Sequence, residues 1–255
     1  MVLSITPDLI FNARRNRSPI DAAFANAEIA EADAYDVQAE VVSMLCRNGG
    51  DRVAGYKLGS ARSADKTDAG RTNRFYGTIL GSKILNSPAQ LSLSQCLEPY
   101  VEPEIEFVCV EDLSEGADEE EIIEKTRIAA GIEIPDGRIQ QWFGNDNLGA
   151  LIADNGAAGW LIVSEASMDI NPIESVTVEL RSNDVKIGVG GALNVRKELP
   201  HAIEWLTKKI AEKGLWIARG SVISSGTLVP PVPATEGIFR ADFSDLGSVS
   251  VSFSS

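Results

Sequence analysis

Up to about Gly50 the apolar positions fall at helical spacing, and beyond Gly55 they shorten into strand-length runs. Between Tyr35 and Leu45 the residues Tyr35, Val37, Val41, Val42, Met44 and Leu45 follow the three- and four-residue steps of a helix that Gly49-Gly50 ends. Ser18-Pro19-Ile20-Asp21 has the order of an N-cap followed by proline at the first helical position, which predicts a helix start there. Ile79–Leu85, Ile105–Val110, Trp160–Val163, Val176–Leu180, Val222–Ser225 and Val249–Phe253 alternate or run apolar and are bounded by Gly, Pro or Asn, as strands are. Two helices interrupt them. Asp118–Ala130 opens on acids and carries Lys125 and Arg127 later, which suits the helix dipole. Pro200–Gly214 starts on Pro, ends on Gly and puts Ile203, Leu206, Ile210 and Ala211 on one stripe.

These elements predict an α+β chain: a small helical N-terminal cap over residues 1–70 and a larger β-rich domain over 71–255, rich in antiparallel sheet. Composition supports a packed core, since 44% of the 255 residues are hydrophobic. Lys and Arg number 23 against 37 Asp and Glu, a net charge of −14, which repels phosphate backbones and anionic lipid. No nucleic acid and no membrane partner is expected. A single histidine, His201, rules out multi-His zinc sites and two-His catalysis, so carboxylates must carry any metal or proton chemistry. His201 itself, just after Pro200, fits packing or capping better than acid–base work. Cys46, Cys96 and Cys109 are odd in number, lack CxxC spacing and sit among apolar residues. They predict buried thiols in a reducing cytoplasm. No 18-residue apolar stretch is present.

The most informative stretch is Tyr100-Val101-Glu102-Pro103-Glu104-Ile105-Glu106. Side chains two apart on a strand share a face at roughly 6.6 Å, so Glu102, Glu104 and Glu106 point the same way. A divalent cation cancels such repulsion; the competing reading is a solvated edge strand, which Pro103 would mark. Glu133 stands alone in Ala129-Ala130-Gly131-Ile132-Glu133-Ile134 and needs a cation, a proton or a partner such as Arg138. Lys57, in Gly55-Tyr56-Lys57-Leu58-Gly59, is placed to bind a substrate carboxylate or, with a depressed pKa, to move protons, unless it simply reaches the surface.

Taken in order, Gly55-Tyr56-Lys57-Leu58-Gly59, Gly77-Thr78-Ile79-Leu80, Val101-Glu102-Pro103-Glu104-Ile105, Ile132-Glu133, Ala153-Asp154-Asn155-Gly156 and Gly220-Ser221-Val222-Ile223-Ser224-Ser225-Gly226-Thr227 resemble the 2-keto-4-pentenoate hydratases. With the 4-oxalocrotonate decarboxylases, these belong to the fumarylacetoacetate hydrolase superfamily. The likeness spans nearly the whole chain and no single motif carries it.

The resemblance implies a mixed β-roll with the helical cap, one Mg2+ or Mn2+ per subunit, and a homo-oligomer, a dimer or a ring of dimers. It places the metal carboxylates on Glu102, Glu104 and Glu133, and active-site groups on Lys57 and Asp154. Glu106 falls where relatives often carry an apolar residue, which suggests a supporting group and not a ligand. The implied substrates are small 2-oxo or 2-hydroxydienoate acids from aromatic breakdown, such as 2-hydroxypenta-2,4-dienoate. Such an acid chelates the ion through its carboxylate and 2-oxygen, and negative charge developing on that oxygen is stabilised. Hydration leads; decarboxylation, C–C hydrolysis or a catalytically divergent member are the alternatives.

The chain also departs from that pattern. Relatives carry an Asp shortly before the Gly-Thr pair where this chain has Phe75-Tyr76, and commonly a Ser after Asp154-Asn155 where it has Gly156-Ala157-Ala158. The polar, Thr- and Gln-bearing loop that usually follows the Lys strand is replaced by residues 59–68, which offer Arg62 and Lys66, candidates for gripping a second carboxylate.

Overall fold

The computed structural model describes residues 3–62, 72–170 and 173–255, the side chains of 61, 62, 72, 166, 167 and 193–199 apart. Lys66 lies outside the described residues, and so does the side chain of Arg62. In chain order the elements are α1 (Pro7–Asn16), α2 (Glu31–Gly49), β1 (Val53–Arg62), β2 (Thr72–Leu80), β3 (Ile84–Asn86), β4 (Ala89–Ser92), β5 (Tyr100–Cys109), α3 (Glu119–Lys125), β6 (Thr126–Ile134), α4 (Leu148–Ala153), β7 (Trp160–Met168), β8 (Thr177–Ser182), β9 (Val185–Gly191), α5 (Leu193–Ala211), β10 (Val222–Ser224), β11 (Val232–Pro233), β12 (Gly237–Phe243) and β13 (Gly247–Ser254).

The strands form two sheets. The larger runs β2-β1-β10-β5-β6-β7-β3, with β11 pairing the start of β5; the smaller runs β4-β13-β12-β8-β9. Pairing is mixed: β1 with β10, β3 with β7 and β4 with β13 are parallel, the remaining pairs antiparallel. The α+β expectation therefore holds, with more parallel pairing than the pattern alone suggested. β13 packs across β6 and β7.

The large sheet is buried on both faces, and strand alternation sorts its residues between them. One face carries Tyr56 and Leu58 of β1, Ile105 and Phe107 of β5, Ile128, Ile132 and Ile134 of β6, and Ile162 of β7, which join Val249, Val251 and Phe253 of β13 in the main core. The other face carries a smaller apolar cluster, Ile79, Ala129, Ala158, Leu161, Val163 and Val222. Lys57, Glu102, Glu104, Glu106 and Glu133 alternate with the main-core residues, so they belong to this second face.

Double burial also explains where sequence periodicity misled. The helix predicted over Asp118–Ala130 stops at Lys125, and Thr126 onward is β6. Buried on both faces, Ile128-Ala129-Ala130 loses the polar alternation that marks a strand. The second helix predicted from Pro200 begins earlier, at Leu193, and contains Pro200 in its interior. Ser18-Pro19 follows a helix instead of starting one: α1 begins at Pro7 under a cap in which Thr6 Oγ1 accepts from Leu9 N, and ends with Arg17 in the left-handed region. The boundary at residue 70 shifts as well. The helical segment ends at Gly49, and β1 lies inside the large sheet between β2 and β10.

Candidate metal centre and active site

β5 is a central strand, flanked by β10 and β6, so the acidic triplet does not lie on a solvated edge. Pro103 fits there because its carbonyl accepts from Leu228 N at 2.9 Å. A strand residue's N–H and C=O leave on the same side, so the missing donor faces the chain after β10 and breaks no bond to β6. Glu102 pairs in register with Glu133, and Glu104 with Gly131. One carboxylate oxygen each from Glu102, Glu104 and Glu133 lies within 4.8 Å of the other two.

Glu104, Glu106 and Glu133 are fully buried. Glu104 Oε1, Glu106 Oε2 and both oxygens of Glu133 accept no hydrogen bond. Burial pushes Glu102 up to about 7, helped by Glu133 and opposed by Lys57. It lifts Glu104 and Glu106 well above the usual carboxylate range, with neighbouring carboxylates adding to the shift. Glu133 also rises through burial, although Lys57 pulls it back. Three buried acids and the half-buried Glu102 against one lysine leave anionic oxygens uncompensated, an arrangement that is costly unless a cation or protons supply the balance. An all-carboxylate donor set suits a hard divalent ion.

Lys57 Nζ lies 3.4 Å from Glu133 Oε1, and the side chain is buried. Burial pulls its pKa down, but Glu133, Glu102 and Glu104 outweigh that and hold it above the ordinary lysine value. Lys57 is thus a cation, not the depressed amine allowed for in sequence. Glu104 is fixed through its other oxygen: Oε2 accepts from Ser224 Oγ and, at 2.7 Å, from Gly226 N. That leaves Oε1 free beside Glu102 and Glu133.

No family model matches the chain. Among curated proteins it is 29% identical to the "TodF product hydratase" of Pseudomonas putida, over 96% of this chain and 93% of the relative. It is 26% identical to the "2-hydroxyhexa-2,4-dienoate hydratase" of Comamonas testosteroni, over 89% and 87%. Among solved structures it superposes on the 4-oxalocrotonate decarboxylase of Pseudomonas putida G7, complexed with magnesium and adipate, with a TM-score of 0.84 and 24% identity over 97% and 95% of the two chains. The chain resembles the 2-keto-4-pentenoate hydratase and 4-oxalocrotonate decarboxylase group.

The acids and the lysine lie together, whereas Asp154 is paired with Arg138. Arg138 Nε donates to Asp154 Oδ1 at 2.5 Å and the Arg138 backbone N–H to Oδ2 at 2.8 Å, all buried. Burial raises the Asp154 pKa while Arg138 opposes it. Arg138, weighed in sequence as a partner for Glu133, is therefore taken, and Glu133 faces Lys57 instead. The next residue, Asn155, accepts from Thr78 N at 2.8 Å and donates to Thr78 O at 2.9 Å. Asp154-Asn155 thus clamps its loop onto β2, the strand beside Lys57.

Phe75 and Ala157, where the sequence departs from the pattern it resembles, also have a place. Phe75 stands opposite Gly59 in register, and its buried ring centre lies 5.7 Å from Lys57 Nζ. A Cβ on Gly59 would meet that ring at 2.5 Å, so the glycine makes room for it. Ala157 is buried in the clamped loop and adds no hydroxyl. His201 is exposed in α5 with Glu204 at 3.8 Å, away from a helix start. The sequence does not point to Ser224 as the partner of Glu104 or to Arg138 as the partner of Asp154. For Ser224 the only signal was a polar residue in the otherwise apolar Val222–Ser224 run.

Proposed function

We propose that this chain is a divalent-metal-dependent hydro-lyase acting on small 2-hydroxydienoate or 2-oxo acids of the 2-hydroxypenta-2,4-dienoate type, in aromatic catabolism. The carrying observation is the convergence of Glu102, Glu104 and Glu133 within 4.8 Å beside Lys57, with Glu104 Oε1 and both Glu133 oxygens buried and accepting no hydrogen bond. The two hydratases above, and the magnesium held by the decarboxylase of the same fold, support it. A divalent ion, Mg2+ or Mn2+ in this proposal, would be held by Glu102, Glu104 and Glu133, whose all-oxygen donor set suits a hard cation. When bound it supplies Lewis acidity toward the carboxylate and 2-oxygen of the substrate. Lys57 Nζ, as a cation, orients the substrate carboxylate or delivers a proton to the substrate carbon that takes up hydrogen. Phe75 walls one side of Lys57 and keeps water from it. Asp154 acts through the clamp that seats the Asn155 loop on β2.

A second reading, decarboxylation, is favoured by Phe75: an apolar ring beside Lys57, where hydratases carry an Asp, suits a step that takes up no water. Assembly as a cytoplasmic homo-oligomer completes the proposal; the exposed Val185, Ile187 and Val189 along β9, an outer strand of the small sheet, support contact between copies.

Metal-stripped protein given Mg2+ or Mn2+ is tested on 2-hydroxypenta-2,4-dienoate, 4-oxalocrotonate and an acylpyruvate while dienol absorbance and carbon dioxide are followed. Metal-dependent loss of the dienol without carbon dioxide is expected. Carbon dioxide from 4-oxalocrotonate alone moves the assignment to decarboxylation, and no metal-dependent turnover of any of the three overturns it.

A further inference from the structure

Glu106 is a fully buried acid that the mechanism above does not use. It projects from the same face of β5 as Glu102 and Glu104 and stands in register with Ser224 of β10, which in turn stands in register with Lys57 of β1. The Ser224 hydroxyl donates to Glu104 Oε2 and lies 3.2 Å from Glu106 Oε1, so two carboxylates converge on one hydroxyl.

The opposite strand makes space for this acid. A Cβ built on Gly131 would sit 2.0 Å from Glu106 Oε1, 2.4 Å from its Cγ and 2.6 Å from its Cδ. All three nearest atoms belong to Glu106, so the volume that a side chain at 131 would occupy is filled by Glu106 and by nothing nearer. An apolar side chain there would fill a β-sheet interior without the cost of burying a carboxylate. A matched Glu106–Gly131 pair that ends on the hydroxyl holding Glu104 is therefore a positioning device.

We propose that Glu106, through Ser224, fixes the carboxylate of Glu104 for metal binding, and that Gly131 is the residue that admits it. This rests on the reading of Glu102, Glu104 and Glu133 as the metal cradle. Groups that orient a ligand commonly govern metal affinity by 10- to 100-fold, because a ligand free to rotate must be ordered when the ion binds.

The test is calorimetric titration of Mn2+ into metal-stripped protein, with thermal unfolding of each metal-free variant alongside. Ser224→Ala removes the relay. Glu106→Ala with Gly131→Ala removes the acid and refills its space, so it keeps the fold where Glu106→Ala alone leaves a cavity. Both are expected to weaken Mn2+ about 10-fold or more, while Glu106→Ala combined with Ser224→Ala is no weaker than Ser224→Ala alone. Glu106→Gln, which can still hydrogen-bond to Ser224, stays close to the parent. Unchanged affinity in Ser224→Ala and in the Glu106/Gly131 double variant overturns the inference, as do additive losses or a Glu106→Gln as weak as the alanine variants. A parent that binds no Mn2+ overturns the cradle itself and this device with it.

Discussion

Among the described residues Lys57 is the cation set against the buried acids, and its consequences divide between stability and chemistry. Held above its ordinary pKa by Glu133, Glu102 and Glu104, it stays charged at neutral pH. Replacing it by methionine leaves Glu133 facing no cation. In the metal-free protein the expected loss is about 3 kcal/mol by urea denaturation, largest at high pH, where the acids cannot take up protons instead. Added Mg2+ restores part of that stability. Turnover of the best substrate falls roughly 100-fold or more in the same variant even at saturating metal, as expected when a group that orients substrate or transfers a proton is removed.

The elements around the site show what a linear reading can capture. The triplet on β5 was visible because strand alternation puts Glu102, Glu104 and Glu106 on one face whatever the fold, and Glu133 stood out as an acid in an apolar run. Gly131 and Ser224 were invisible as partners because their roles depend on strands brought together by topology: Ser224 lies 120 residues from Glu104 and meets it only across the β10–β5 pairing. The start of β6 reads as the end of a helix because burial on both faces erases its period. The Asp154-Asn155 clamp belongs to this scale too. Arg138→Met strands Asp154 in the interior, and a destabilisation of about 3–5 kcal/mol is expected. Asn155→Ala leaves the Thr78 N–H and C=O without their partner, at about 2 kcal/mol. Chemical denaturation measures both, and an Arg138→Met protein as stable as the parent would show that the buried pair does not hold the loop.

For the whole molecule, the cluster couples folding to pH and metal. Glu102 rises to about 7 and Glu104, Glu106 and Glu133 rise as well, so between the ordinary carboxylate value and about 7 the folded chain binds more protons than the unfolded one. Their contribution to stability is present at low pH and lost as pH climbs through about 7. The metal-free protein is therefore expected to melt at progressively lower temperature from about pH 5 to pH 8. Because a bound ion displaces those protons, the rise in melting temperature on adding Mg2+ is expected to be larger at the alkaline end. A melting temperature in chelator that climbs over the same range would contradict this protonation scheme. The net charge of −14 adds general self-repulsion, part of which an ion held by Glu102, Glu104 and Glu133 would relieve.

The most direct measurement is kcat/KM for 2-hydroxypenta-2,4-dienoate as a function of free Mg2+, in chelator-stripped parent and in Glu133→Gln. The parent is predicted to rise from near zero to saturation, and Glu133→Gln to remain low at Mg2+ concentrations that saturate the parent. Activity unaffected by chelation, or a Glu133→Gln curve that overlays the parent, would contradict the assignment of Glu102, Glu104 and Glu133 as the catalytic metal cradle.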